Sequence, residues 1–186
     1  MFSDFFKLNG GFENEQHRRK HSVKLMFSDS IFSLQTHYGG LMVTNDITSL
    51  LPHRKPFLFV DEIVSCDEAG SVSTRKFTDD DFFFKGHFPQ YPVVPGVILV
   101  ETMAQAGGAA LSYQKKFQEG SLFFLATVDK VKFRNQVRPG DTVRMEIANL
   151  RVSAHMVKQS GKAYVGDTLA AEAEWMCLVG SESSVH

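Results

Sequence analysis

The chain has 186 residues, of which 43% are hydrophobic and 22% are charged, and its formal net charge is −1. This length fits one domain with an additional segment, and the near-zero charge excludes an overall positive field for binding nucleic acid. The two cysteines lie far apart without a CxxC pair, which excludes a disulfide framework and indicates free thiols in a reducing, cytoplasmic setting.

Residues 1–41 differ in character from the rest of the chain. They are polar and unpatterned, with scattered phenylalanines and no signal peptide. The acidic residues Asp4, Glu13, Glu15 and Asp29 argue against a transit peptide. We expect an N-terminal extension over 1–41, partly disordered, and a folded domain over 42–186.

Regular patterning begins at Ile47. The segment ITSLLPH (47–53) predicts a short helix that stops at Pro52. Residues 56–68 and 71–78 predict two strands joined by a turn. Residues 79–96, which hold three prolines, predict an irregular loop.

The second half predicts one helix and several long strands. Residues 96–117 have the length and composition of a helix, and residues 121–135 predict a strand. After a turn at Pro139-Gly140, residues 141–180 predict two long strands joined around Gly161. The chain therefore contains one main helix among about five strands.

The predicted helix is apolar on nearly every side from Gly96 to Ala110, so it is either buried or spans a membrane. Glu101, Gln105 and Gly107-Gly108 interrupt the apolar run, which argues against membrane insertion. We therefore expect a buried helix with an antiparallel sheet curled around it.

Three prolines, Pro89, Pro92 and Pro95, hold the loop before the helix in a stiff path. Pro95 suits the first helical position, which leaves the N–H groups of Gly96 and Val97 among the unpaired donors of the helix start. Because glycine has no side chain, a ligand oxygen can approach the Gly96 amide closely.

His87 and Glu101 are the reactive side chains near this helix end. A buried carboxyl favours its protonated form, as an acid requires. A positive charge is unfavourable beside a helix N-terminus, so a neutral His87 can serve as a base. Each residue also has a purely structural interpretation: His87 could be a histidine in a turn, and Glu101 could be a buried glutamate bonded to a backbone amide. Together with the amide site they supply what the removal of a β-hydroxyl from a thioester needs.

Two motifs carry a family resemblance. The segment LLPHRKPFLFVDEI followed by GHFPQYPVVPGVILVETMAQ resembles the β-hydroxyacyl-acyl carrier protein dehydratases of the FabZ type, from about Ile47 to Val179. The resemblance implies an α+β hot-dog fold, in which an antiparallel sheet wraps one long helix. It also implies homodimers, often assembled as trimers of dimers, whose shared active sites take the histidine and the carboxylate from different subunits.

The resemblance also implies roles for individual residues. His87 would take the proton from C2 of a (3R)-hydroxyacyl thioester, Glu101 would assist departure of the C3 hydroxyl, and the Gly96 amide would hold the thioester carbonyl. The product would be a trans-2-enoyl thioester, formed without a metal or an organic cofactor. The related FabA branch, which also isomerises the double bond, typically has Asp where this chain has Glu101.

The resemblance also indicates residues that would bind the acyl chain and the carrier protein. Val97, Phe88 and Val94 would bind the acyl chain, although FabZ enzymes often have an aromatic residue where this chain has Val94, and Tyr where it has Lys55. Acyl carrier protein is acidic, so a basic patch is expected near the channel. Its candidates, which are equally an ordinary solvated strand face, are Lys130, Lys132, Arg134 and Arg138.

Two alternatives stay open at this point. A hot-dog acyl thioesterase would hydrolyse the thioester, although the GHFP…PG…E pattern argues against it. A non-catalytic acyl-thioester-binding protein would bind the substrate without turnover, although both reactive side chains are present.

Overall fold

The computed structural model describes residues 44–181. The extension predicted for residues 1–41 lies outside this part of the chain. The elements, in chain order, are strands β1 (Glu62–Cys66) and β2 (Gly70–Lys76), helix α1 (Gly96–Tyr113), and strands β3 (Leu122–Phe133), β4 (Thr142–Val152), β5 (Met156–Val165) and β6 (Thr168–Gly180). Short 3₁₀ helices cover Ile47–Ser49 and Phe82–Lys85.

The six strands form one antiparallel sheet in the order β1-β2-β4-β5-β6-β3. Hairpins join β1 to β2, β4 to β5 and β5 to β6, whereas α1 separates β2 from β3 in the chain. Every strand contacts α1, so the sheet curls around the helix. The predicted α+β hot-dog fold is confirmed.

Helix α1 is the centre of the core. Its buried side chains come from almost every turn, because the segment is apolar on all faces. Pro95 precedes the first turn, and the helix ends at Tyr113, earlier than the predicted residue 117, because the chain reverses at Lys115 with φ of 56°. Within residues 44–181, no helix has both the length and the apolar character for crossing a bilayer.

The prediction that two long strands meet around Gly161 is wrong, and the sheet has six strands rather than five. Gly161 lies inside β5, and the turns fall at residues 153–155 and 166–167 instead. A Cβ atom on Gly161 would lie 2.7 Å from the ring of Trp175, which is fully buried. This glycine therefore permits close packing and does not turn the chain.

The first predicted strand is also shorter than expected. Its regular part is β1, from Glu62 to Cys66, whereas residues 56–61 run as irregular backbone. Within this segment, only Asp61 is hydrogen-bonded through its backbone to a strand, donating to Thr74 O of β2 at 2.9 Å. The amide of Phe59 instead bonds to a side chain of α1, which anchors the segment across the helix.

Strand β3 lies at one edge of the sheet and pairs only with β6. Its middle is exposed on both faces, including the apolar side chains of Phe124, Leu125 and Val128, each at least 40% exposed. A long apolar edge strand is a template for pairing with another strand. The other edge strand, β1, has only five residues.

Candidate active site

His87 is held by the loop that precedes α1. Its backbone N–H donates to Phe83 O at 2.8 Å, and its carbonyl accepts from Val93 N at 3.1 Å. Its side-chain Nδ1 lies 3.0 Å from Val93 O. Because a carbonyl only accepts, Nδ1 carries the proton of the neutral ring and Nε2 has the free lone pair. The loop therefore presents Nε2 as a base.

The same loop is hydrogen-bonded to the irregular segment between β3 and β4. Val94 is buried, and its N–H donates to Val137 O at 2.8 Å. Phe88 stacks on the His87 ring at 4.2 Å between centroids while remaining 54% exposed. These contacts fix the direction of the imidazole at the molecular surface.

A cleft of about 490 Å³ opens beside His87 at the start of α1. The amides of Gly96 and Val97 start the helix, and within residues 44–181 neither finds an acceptor. Two free N–H groups at a helix start attract an oxygen that gains negative charge. The cleft is lined by His87, Val93, Val94, Pro95, Gly96, Val97, Leu99, Phe133, Arg134, Asn135, Gln136 and Val137.

The mouth of the cleft is apolar. Val97 is 71% exposed and Phe133 is 54% exposed, which are high values for side chains of this kind. The Phe133 ring lies over Gly96, where a Cβ atom would be 2.7 Å from it. Phe88 is not among the residues that line the cleft and adjoins it through the His87 ring, whereas Val94 belongs to the core and forms part of the cleft wall. An apolar chain can therefore bury methylene groups here, each worth about 0.8 kcal/mol.

Glu101 lies on α1, outside the lining of that cleft. Its Oε1 accepts a hydrogen bond of 2.9 Å from Gln105 Nε2, one turn later. Gln105 is itself 3% exposed, receives Phe59 N–H on Oε1 at 2.8 Å and donates to Phe57 O at 3.0 Å. These bonds set the orientation of the amide and hence the position of the carboxylate.

Two more side chains surround Glu101. Nε2 of His53 lies 3.7 Å from Glu101 Oε1. Burial lowers the pKa of His53, and the charge of Glu101 partly offsets this. Burial, with a smaller contribution from the Glu101 charge, raises the pKa of Cys177 to about 11, so this thiol is not a nucleophile near neutral pH.

One copy of the chain therefore keeps His87 and Glu101 in two different surroundings. His87 lines the cleft, whereas Glu101 contacts His53 and Gln105 on another stretch of α1. Among the described residues, no cleft or contact of one copy brings these two side chains together.

The basic residues predicted for carrier binding divide into two groups. Lys130 pairs with Glu174 at 2.7 Å, and Arg134 and Lys132 pair with Glu172 at 2.7 and 3.4 Å. These pairs lower the pKa values of both glutamates, chiefly through the hydrogen bonds from Arg134 and Lys130. The two glutamates therefore neutralise part of the positive charge of this strand face, which is not a purely basic patch.

Arg138 is placed differently. Its guanidinium lies over the Tyr91 ring, 4.4 Å from the centroid, and it donates to the Tyr91 hydroxyl and to Gln136. Gln136 lines the cleft, so Arg138 lies at the cleft rim without a carboxylate on its guanidinium among the described residues. No cluster of three or more metal-ligating side chains occurs within residues 44–181.

Sequence reasoning missed His53 and Gln105 as neighbours of Glu101. The i, i+4 spacing of Glu101 and Gln105 in an apolar helix was a usable signal, because side chains four apart meet on one helix face. His53 lies within the quoted motif LLPHRKPF, but nothing local shows that its ring reaches the helix.

The family model and the similar curated proteins indicate the same family for this chain. A family model described as a FabA-like domain matches residues 51–174. The chain is 44% identical to the 3-hydroxyacyl-[acyl-carrier-protein] dehydratase FabZ of Desulforamulus reducens over 139 residues, which cover 74% of this chain and 97% of that protein. It is 41% identical to the FabZ of Clostridium perfringens over 140 residues, covering 75% of this chain and all of that protein.

Among solved structures, the dehydratase heterocomplex ApeI:P from Xenorhabdus doucetiae matches with a TM-score of 0.66. The match covers 74% of this chain and 92% of that one, at 16% sequence identity. At this identity the likeness supports the fold.

Proposed function

The chain belongs to the FabA-like family, as a 3-hydroxyacyl-acyl carrier protein dehydratase of the FabZ type, and we propose that His87 and Glu101 from two copies perform its chemistry. The enzyme acts in fatty acid biosynthesis as a hydro-lyase. The substrate that we propose is a (3R)-hydroxyacyl thioester of acyl carrier protein, and the product is the trans-2-enoyl thioester and water. We place this reaction in the cytoplasm.

His87 is the proposed base. Its Nδ1–H is engaged by Val93 O, which leaves the lone pair of Nε2 free to remove the proton from C2 of the substrate. The hydrogen bond also stabilises the imidazolium that forms, because Val93 O keeps accepting from Nδ1. This fixed orientation is the observation that carries the proposal.

The start of α1 is the proposed site for the thioester carbonyl. When the C2 proton leaves, negative charge develops on the carbonyl oxygen. The free N–H groups of Gly96 and Val97 and the positive end of the helix dipole stabilise this charge.

Glu101 of the second copy is the proposed acid. The electron pair of the broken C2–H bond forms the C2=C3 double bond, and the C3–O bond breaks. The leaving hydroxyl takes the proton of Glu101 and departs as water. The metal-free and cofactor-free reaction balances because His87 gains one proton from C2 while Glu101 gives one proton to the departing water, and proton exchange with water resets both groups.

The proposed assembly is a homodimer formed through β3, whose exposed apolar edge supports pairing. A trimer of dimers is proposed as its higher assembly. For the acyl carrier protein, Arg138 at the cleft rim is the preferred contact, since Lys130, Lys132 and Arg134 are each paired with Glu172 or Glu174.

A direct assay distinguishes this activity from the alternatives. Purified protein is mixed with 3-hydroxyacyl and 2-enoyl thioesters of acyl carrier protein, and the conjugated enoyl absorbance is followed together with free thiol. We expect reversible changes in absorbance without thiol release. Thiol release would instead identify a thioesterase, and binding without either signal would identify a non-catalytic binder.

Co-expression of two inactive variants tests the shared site. His87→Ala and Glu101→Gln should each abolish turnover with the oligomer mass unchanged. In mixed dimers one site has both wild-type groups, so random assembly should restore about a quarter of wild-type activity. A mixture as inactive as its components would show that one chain supplies both groups.

A further inference from the structure

His53 approaches the proposed acid from a segment that is distant from it in sequence. It follows the short 3₁₀ helix Ile47–Ser49, and the Arg54 side chain stabilises this turn by donating to Leu51 O and His53 O at 2.8 Å each. The turn brings His53 Nε2 to 3.7 Å from Glu101 Oε1. This is the oxygen that Gln105 already holds.

The surroundings of the imidazole determine where its proton lies. Nδ1 of His53 is buried and has no hydrogen-bond partner within the described residues 44–181. A buried N–H without an acceptor is less favourable than a buried lone pair without a donor. The neutral ring therefore carries its proton on Nε2, facing the carboxylate.

The ring is also kept uncharged. Burial lowers the pKa of His53, the titratable group that faces the ring is Glu101 on α1, and Glu101 in turn faces Cys177 on β6. A charged His53 would bind the ionised form of Glu101 and so oppose its use as an acid. A neutral ring can offer its Nε2–H to the carboxyl group without taking up a further proton.

We propose that His53 is a positioning residue for the acid: its neutral ring and Gln105 together keep Glu101 Oε1 as an acceptor, so that Oε2 carries the proton for the leaving hydroxyl. This inference rests on the proposed function. Oε1 accepts a hydrogen bond from Gln105 at 2.9 Å and lies 3.7 Å from His53 Nε2, whereas Oε2 has no hydrogen-bond partner among the described residues. A proton on Oε2 is therefore free to be donated to the leaving hydroxyl of the substrate.

Two variants of His53 test the proposal by steady-state kinetics in the wild-type assembly. His53→Leu keeps the apolar volume but removes the N–H, and we expect kcat to fall about tenfold or more with KM nearly unchanged. His53→Gln returns an N–H near the position of Nε2 and should recover most of kcat. Lys55→Gln, which changes an exposed residue two positions further along, is the control and should match wild type.

The kinetic outcomes are decisive in both directions. Wild-type kcat in His53→Leu, or equal losses in the Leu and Gln variants, would overturn the role of the N–H. If the wild-type protein shows no dehydration, the proposed function fails, whereas active wild type with an active Leu variant overturns only this inference.

A measurement on the unmodified enzyme does not depend on how the variants fold. Nuclear magnetic resonance of ¹⁵N-histidine-labelled protein, with His53 assigned from the Gln variant, reports the tautomer directly. We expect a neutral ring protonated at Nε2 throughout the pH range of activity. A neutral ring protonated at Nδ1, or a charged ring at pH 7, would overturn the proposal.

Discussion

His53 also affects how folding stability depends on pH. Its pKa is lowered by burial in the folded chain, whereas the unfolded chain has the ordinary value of 6.5. As the pH falls through 6.5, the unfolded chain therefore binds a proton that the folded chain does not, and stability falls. The contribution of His53 is present above this pH and is lost below it.

We predict that His53→Gln reduces this acid sensitivity. Between pH 7.5 and 5.5, the drop in the midpoint of thermal unfolding should be smaller in the variant than in wild type. His155→Gln removes an exposed histidine from the turn between β4 and β5 and serves as the control. Equal drops in wild type and His53→Gln would contradict the prediction.

Gly96 is the second residue with a direct functional consequence. In Gly96→Ala the new Cβ lies 2.7 Å from the Phe133 ring, which is exposed enough to move aside. We expect little loss of stability but a decrease in kcat/KM of about tenfold or more, because the methyl group obstructs the amide site for the carbonyl. Circular dichroism melting and initial rates measure the two effects.

The double variant Gly96→Ala/Phe133→Ala locates the cause of that loss. If the methyl group blocks the amide itself, removing the ring leaves kcat/KM low. Recovery of wild-type kcat/KM would show instead that the displaced ring was responsible.

At the scale of elements, two adjacent glycines of α1 differ in how much space surrounds the position of a Cβ atom. A Cβ on Gly107 would lie 2.3 Å from Oε1 of Gln159, which is 2% exposed on β5. The nearest atom to a Cβ on Gly108 is 3.4 Å away, in the Phe123 ring. The helix thus approaches β5 closely at one glycine only.

This difference gives a matched pair of substitutions. Gly107→Ala should lower the free energy of unfolding by about 1–3 kcal/mol, because Gln159 has little room to move. Gly108→Ala should leave it unchanged or raise it by up to about 1 kcal/mol through better helix propensity. Urea denaturation of both variants measures the difference, and equal effects would contradict the packing described for α1.

Much of the element order could be predicted from the sequence because local chemistry determines it. The apolar run from Gly96 to Ala110 required a buried helix, and Pro95 set its start. Gly161 misled the prediction because a glycine in a turn and a glycine beneath a buried ring look alike in sequence. Only the position of Trp175 in the neighbouring strand separates the two cases.

The candidate site likewise has a part that the sequence could predict and a part that it could not. His87, Gly96 and Glu101 could be selected from residue types and spacing, because they lie within one short stretch. The surroundings of Glu101 could not, because Gln105 bonds to backbone atoms 46 and 48 residues away. Contacts of such separation depend on how the sheet closes around α1.

At the scale of the whole molecule, the exposed edge strand β3 is the feature that a single copy leaves incomplete. Leu125 and Val128 are 42% and 40% exposed in its centre. Burial of these apolar side chains in a dimer would contribute to association, and the proposed shared site depends on that dimer.

We predict that Leu125→Asp/Val128→Asp converts the protein to monomers and abolishes turnover, since charges are unfavourable in a buried interface. Light scattering coupled to size-exclusion chromatography gives the mass. His87→Ala is the matched control, inactive with the native mass. A monomeric Asp variant that keeps its activity would refute the shared site.

The bonds that orient Gln105 come from main-chain atoms, the carbonyl of Phe57 and the amide of Phe59. Every amino acid has this carbonyl, and every one except proline has this amide. Substitution of the side chain at position 57 therefore preserves the hydrogen bond that orients Gln105, and with it the position of Glu101. A proline at position 59, in contrast, would disconnect it without any change in the reacting groups themselves.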